Sequence, residues 1–210
     1  MKFARLAIVF SSILLISGCG AISALNKAST PLDAYELRAP SGLPQATRSL
    51  SRALSVEPPT TSGALDTDRI LVKPNAVQSL YLPDGRWASE LPAMWQTMAL
   101  RAFEDTGALS YVGRRPLGAV GDFALISEIT DFQAELVGEE AATIRLRLTA
   151  RMVRESDARV MARQVFSAAV PVEGTETLAL VNGFNTASDT VLADIVRWGL
   201  QVMGVTLPAS

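Results

Sequence analysis

Residues 143–152, Thr-Ile-Arg-Leu-Arg-Leu-Thr-Ala-Arg-Met, decide the fold class. Ile144, Leu146, Leu148, Ala150 and Met152 share one parity, and Thr143, Arg145, Arg147, Thr149 and Arg151 share the other. In a strand, side chains alternate between faces, so this period of two predicts one buried face and one polar face. Upstream, Phe123, Leu125 and Ile129 lie on one parity but Phe132, Ala134 and Leu136 on the opposite one. A single bulge near Thr130 and Asp131 reconciles them. Downstream, Glu155-Ser156-Asp157 turns the chain into Val160, Ala162, Phe166, Ala168 and Val170, which gives a meander of three long antiparallel strands. With the hairpin closed over Glu139 to Ala141, Glu135 is expected opposite Arg145 and Glu128 opposite Arg151 on the outer face.

The flanking chain supplies the covering layer. From Thr175 the period lengthens to threes and fours at Leu180, Phe184, Ala187, Val191, Ile195, Trp198 and Val202, a long amphipathic helix suited to lie across the meander, with Gly183 and Gly199 as its weak points. A second helix is expected after Ser89 as its cap, with Pro92 in the first turn. Its apolar stripe is Leu91, Trp95, Met98, Ala102 and Phe103, and Thr106-Gly107 closes it. Shorter strands are read at Asp33–Arg38, Leu50–Val56, Arg69–Val72, Val77–Leu82 and Ser110–Val112. Pro58-Pro59 ends the second of these, and Pro83-Asp84-Gly85 is taken as a turn after the fourth.

Composition narrows the chemistry. The chain has 210 residues, one Cys and no His, which excludes an intramolecular disulfide, a Ser-His-Asp triad and imidazole zinc sites. The net charge of −2 provides no broad basic surface, so nucleic acid is not an expected partner. Gly118 and Gly121 lack the spacing of a phosphate loop. Glu139-Glu140 read as acids at a hairpin tip. The arginines of 143–152 could hold an anionic headgroup, but Glu128, Asp131 and Glu135 fall on the same outer face and cross-strand pairing is preferred. Trp87, Trp95 and Trp198 read as core anchors. No catalytic residue and no metal ligand set is assigned, so the chain is not expected to be an enzyme.

The N-terminus says where the domain works. Lys2 and Arg5 precede the apolar run Leu6–Ile16, too short for a comfortable spanning helix but right for the core of an export signal. The run closes on Ile16-Ser17-Gly18-Cys19, which resembles the lipobox of bacterial lipoproteins. That resemblance implies cleavage between Gly18 and Cys19, with diacylglyceryl and N-acyl groups on Cys19 and no other cofactor. It divides the chain into a signal peptide at 1–18, a lipidated tether at 19–32 and a single domain at 33–210. Gly20, where Asp is the usual inner-membrane retention signal, points by the same analogy to the periplasmic face of the outer membrane in a Gram-negative bacterium. Processing removes Lys2 and Arg5 and no acid, so 17 basic residues face 21 acids and the mature net charge is −4.

Taken with the lipobox, Tyr35-Glu36-Leu37, Leu65-Asp66-Thr67-Asp68-Arg69-Ile70, Arg86-Trp87-Ala88, the Phe132 strand and Ala179-Leu180-Val181-Asn182-Gly183-Phe184-Asn185 resemble the ABC-type transport auxiliary lipoproteins. These accompany the mammalian-cell-entry (MCE) domain lipid transporters. The resemblance covers about 33 to 203. It implies an α+β layer fold, an antiparallel sheet with two helices packed on one face. It also implies a role in docking an MCE assembly for lipid traffic between membranes, the ability to form a homo-oligomer, and a structural or docking role for Arg86 and Trp87. Two other readings stay open: an outer-membrane assembly or export factor, and a lipid-binding carrier in its own right.

Overall fold

The computed structural model describes residues 31–116, 118 and 121–208. The fold is the unit from Ala34 onward. Eleven elements follow one another: β1 (Asp33–Tyr35), β2 (Leu50–Val56), β3 (Thr60–Thr61), β4 (Arg69–Asn75), β5 (Gln78–Trp87), α1 (Leu91–Glu104), β6 (Leu109–Gly113), β7 (Phe123–Leu136), β8 (Ala141–Arg154), β9 (Arg159–Glu173) and α2 (Thr177–Val202).

The meander is β7-β8-β9, and β8 is its middle strand. Ile144, Leu146, Leu148, Ala150 and Met152 are all at most 1% exposed, as a strand with one covered face requires. The bulge in β7 falls at Thr130: Ile129 pairs with Leu148 and Asp131 with Arg147, leaving Thr130 as the extra residue. Phe132 and Ile129 thereby both reach the core. A second bulge, which skips Met161, sits in β9.

The register of the first hairpin differs from expectation. Glu135 pairs with Thr143 and Glu128 with Thr149, so Arg145 faces Gln133 and Arg151 faces Ile126. The cause is the turn. Val137 N–H donates to Ala141 O at 2.8 Å, and Gly138 takes a left-handed φ of 72°, which glycine adopts without a Cβ clash. The turn therefore centres on Glu139, one residue earlier than a closure over Glu139 to Ala141 would put it. The ion pairs survive on the diagonal, Arg145–Glu135 at 3.1 Å and Arg151–Glu128 at 3.9 Å, and all four side chains share the outer face.

The sheet is not antiparallel throughout. β8 occupies one edge of β7 along its length. The other edge takes three short parallel partners in turn: β2 beside Phe123–Leu125, β3 at Glu128–Ile129 and β4 at Ala134–Glu135. Pro58-Pro59 interrupts this run without ending it, because Thr60 and Thr61 resume pairing on β7. β6 adds in parallel to β2, β5 adds antiparallel to β4, and β1 completes the order β1-β5-β4-β7-β2-β6.

Pro83-Asp84-Gly85 does not end β5. Arg69 pairs with Arg86 while Leu71 pairs with Tyr81, so these turn-forming residues are absorbed as a wide bulge inside the strand. Gly85 is needed there because a Cβ would lie 2.8 Å from Thr177 Cγ2 and 3.0 Å from the Tyr35 ring. β1 stops at Tyr35, short of Arg38, whose N–H leaves the sheet to donate to Asn185 Oδ1 at 3.1 Å.

Both helices cover the face that carries Ile144 to Met152. In α1 the N-cap is Glu90, without a side-chain bond, and Ser89 does not cap it. The Thr67 carbonyl accepts the Leu91 N–H at 3.1 Å and takes over that duty. The expected stripe of α1 is buried throughout: Leu91, Trp95, Met98, Ala102 and Phe103. α2 lies so close to the sheet that a Cβ on Gly183 would come within 2.5 Å of Val172 Cγ2 and 2.8 Å of Ile144 Cγ1. Gly199 makes the equivalent approach to Phe103 and Met152. These glycines weaken the helix locally and set its distance from the sheet.

Candidate anchor and docking surfaces

Gly18 and Cys19 lie outside the described residues. Arg86 and Trp87 converge with the Phe132 strand and the Phe184-Asn185 segment on one point. Trp87, 1% exposed, stands at the end of β5 with its indole edge-on to Phe184 of α2 (centroids 5.3 Å, 89°) and to Phe132 of β7 (5.9 Å, 64°). Phe132 stacks on Phe184 at 4.8 Å and meets Trp95 of α1 edge-on at 6.4 Å. Offset and edge-on arrangements are the favoured ones for aromatic rings. Trp198 lies apart from this cluster and packs edge-on against Phe166 of β9.

Backbone bonds tie the same motifs together. Trp87 N–H donates to Asp68 O at 2.7 Å, and Ala88 N–H donates to Tyr35 O at 2.7 Å. Arg86 reaches back over this junction, with Nη1 3.2 Å from Asp68 Oδ2 and 3.1 Å from the Trp87 carbonyl oxygen. Segments as far apart as Tyr35–Arg38 and Phe184–Asn185 are thus held by one knot. The geometry gives Trp87 a packing role, and Arg86 staples the strand-to-helix corner.

The outer face of the meander is uncovered. An open depression of about 320 Å³ there is bordered by Asp131, Glu135, Arg145, Arg147, Ser167 and Ala169. Gln133 donates to both Asp131 (3.2 Å) and Glu135 (3.3 Å), and Glu135 also holds Arg145, so three of the four border charges are engaged in side-chain bonds. Among the described residues no cluster of three metal-ligating side chains occurs, and no helix is long and apolar enough to cross a membrane.

Three carboxylates depart from ordinary behaviour: the bond from Arg154 holds Asp157 below the usual range, and Asp122 and Asp189 move in opposite directions. Asp122, ahead of β7, accepts the Ala53 N–H at 2.9 Å and the Arg52 guanidinium at 2.9 Å, and the backbone bond first, then Arg52, holds its carboxyl below the usual range. Asp189, on α2, is pushed up by burial; Asn185 donates to one oxygen at 3.2 Å and the other has no partner.

The model of the ABC-type transport auxiliary lipoprotein component family matches residues 35–196. The chain belongs to that family. A protein of Xanthomonas campestris with a known crystal structure shares this auxiliary lipoprotein's fold at a TM-score of 0.71 and 25% identity, covering 84% of this chain and 97% of that one. A hypothetical protein of Chlamydia trachomatis is similar in fold at a TM-score of 0.50 and 11% identity, over 74% of this chain and 99% of the other. A curated, uncharacterized protein of Bradyrhizobium diazoefficiens is 26% identical over 164 residues. These are 78% of this chain, which spans only 44% of that relative's length.

Val77, expected in a strand, stands at the tip of the two-residue β4–β5 turn and is 95% exposed. The signal was Asn75. Its Oδ1 accepts the N–H groups of both Val77 (3.1 Å) and Gln78 (3.0 Å), the short-range bonding that makes asparagine a turn former.

Proposed function

We propose that this auxiliary lipoprotein is a non-catalytic docking subunit. It is held at the periplasmic face of the outer membrane through lipid on Cys19, and it positions an MCE-domain lipid transporter. The observation that carries the reading is how the space between sheet and helices is used. Trp87, Trp95, Phe103, Phe132 and Phe184 fill that layer, each at most 2% exposed. A carrier must keep an apolar cavity for its cargo; an adaptor needs a rigid body with a recognisable surface. The filled layer favours the adaptor. Family membership supports a part in ABC-type transport, and the lipobox supports the anchor. Self-association into a homo-oligomer is compatible with this role.

The test exchanges the signal and Cys19 for a soluble export signal. The exported domain should still retain the MCE-domain protein in pull-down but fail to restore barrier function in a strain lacking the native chain. Full rescue without the anchor would favour a soluble carrier.

A further inference from the structure

β9 is the longest strand of the fold and pairs with β8 alone, so its second edge is open among the described residues. The ladder fixes which groups that edge presents. Gly174 N–H donates to Glu140 O at 2.7 Å, so the even-numbered residues of β9 bond toward β8 and the odd-numbered ones point away, as far as the bulge at Met161. Pro171 agrees with this parity, because proline is tolerated in a strand where its missing donor faces outward. Arg163, Val165, Ser167 and Ala169 therefore direct N–H and C=O away from the sheet, and all four are exposed. Phe166 alone in β9 is fully buried, whereas the core-facing row of β8 is sealed throughout.

Exposed edges are ordinarily guarded by charge, bulges or proline. Here the bulge at Met161 and Pro171 guard the two ends, while Val165, Ser167 and Ala169 between them carry no charge. The charge stands one strand further in. On the outer face Arg145 lies beside Ala169, Arg147 beside Ser167 and Arg151 beside Arg163. Glu135 and Glu128 hold Arg145 and Arg151 from the β7 side, but Arg147 and Arg163 form no ion pair among the described residues. No acid occurs from Arg159 to Val172. The open depression of about 320 Å³ lies over Ser167 and Ala169, against Arg145 and Arg147. On a chain that carries more acids than bases, this edge is basic.

We infer that the open edge of β9, residues 163–169, docks an extended acidic segment of a partner protein, which joins the sheet by main-chain hydrogen bonds and sets carboxylates at alternate positions on the outer face. This rests on the docking role proposed above. An added strand lies two strand spacings, about 10 Å, from β8, and the small Ser167 and Ala169 leave that gap open for its carboxylates to meet Arg145 and Arg147. Main-chain pairing supplies affinity and the alternate side chains supply selectivity. Two other occupants lack the charge. A second copy's β9 brings Arg163 against the same arginines, and residues 20–32 of this chain carry Lys27 and no acid.

The experiment uses the full lipidated chain in detergent micelles and a fluorescein-labelled peptide of alternating glutamate and valine, about seven residues long to match the open stretch. Anisotropy should show saturable binding that weakens with added salt, and a peptide with lysine in place of glutamate should not bind. Amide exchange should slow on binding at 163, 165, 167 and 169. Arg147→Glu, at an exposed side chain, should weaken binding about tenfold, and so should Val165→Pro, which removes an outward donor and no bond to β8. No binding of the acidic peptide, equal binding of the lysine peptide, or binding unchanged in both variants would overturn the inference. Slow exchange at the four positions in the chain alone would also overturn it: the edge then holds a second copy if the slowing rises with protein concentration, and the chain's own N-terminal segment if it does not. Pull-down of the MCE-domain protein is scored separately. Its failure with peptide binding intact contradicts the choice of transporter and leaves the acidic-strand edge supported.

Discussion

Asp122 and Asp189 oppose each other in how they couple stability to pH. Asp122 has a folded pKa held below its unfolded value, so its contribution is present above the unfolded pKa near 3.8 and is lost as pH falls through the folded value. Asp122→Asn should lower stability at pH 7 by about 1 kcal/mol, the order expected for a charge-assisted bond at a partly exposed site, and the deficit should vanish in acid. Asp189 has a raised folded pKa, so its burial penalty is fully present above that value and is relieved as pH falls through it. Asp189→Asn should therefore raise stability at pH 7 and lose its advantage below pH 4. Urea midpoints of the three proteins between pH 3 and 7 check both signs. At the aromatic knot, Phe132→Ala removes the ring that touches Trp87, Trp95 and Phe184, and should cost about 3–5 kcal/mol by the same measurement.

At the scale of elements, Gly183 distinguishes helix propensity from packing. Alanine there would favour the isolated helix by about 1 kcal/mol, but its Cβ would meet Val172 and Ile144 inside contact distance. Gly183→Ala should therefore lower stability by about 1–2 kcal/mol, overpacking outweighing propensity. Gly183→Ala with Val172→Ala, which removes the Cγ2 that the new Cβ would meet at 2.5 Å, should recover part of the loss. The elements legible in the sequence were those whose partner is dictated by their own period: β8, the bulge at Thr130, and both apolar helix stripes. What could not be read depended on distant chain. The register of β7 on β8 hung on which residue of the turn took a left-handed φ. Pro83-Asp84-Gly85 looked like a terminator because nothing local shows that β4 would continue pairing past it. β3 and the parallel pairing to β7 have no local signal, since two threonines after Pro58-Pro59 become a strand only when a free edge lies beside them. Arg86 and Trp87 were legible as marked residues, but their partners Asp68, Phe132 and Phe184 were not.

At the scale of the whole molecule, the fold has two ends with different surroundings. The chain enters at Tyr35, beside Gly85 and Ala88 at the end of β5 away from the Val77 turn. The end opposite that turn carries the β8–β9 turn, where Arg154 holds Asp157 at 2.6 Å, and the junction of Arg52 with Asp122. Under the proposed anchoring, a transporter that crosses the periplasm meets the domain on a surface left free, and the exposed end at Ser156 and Arg159 is one such surface. Photo-crosslinking in cells reads whether the proposed docking to the transporter takes place. A photoreactive residue is placed at Ser156, Arg159 or Val137 in chains that retain barrier function, and crosslinked proteins are identified for each position. Docking to the transporter should give capture of the MCE-domain protein from 156 or 159. Capture of that protein only from 137, or its absence from all three positions, would contradict it.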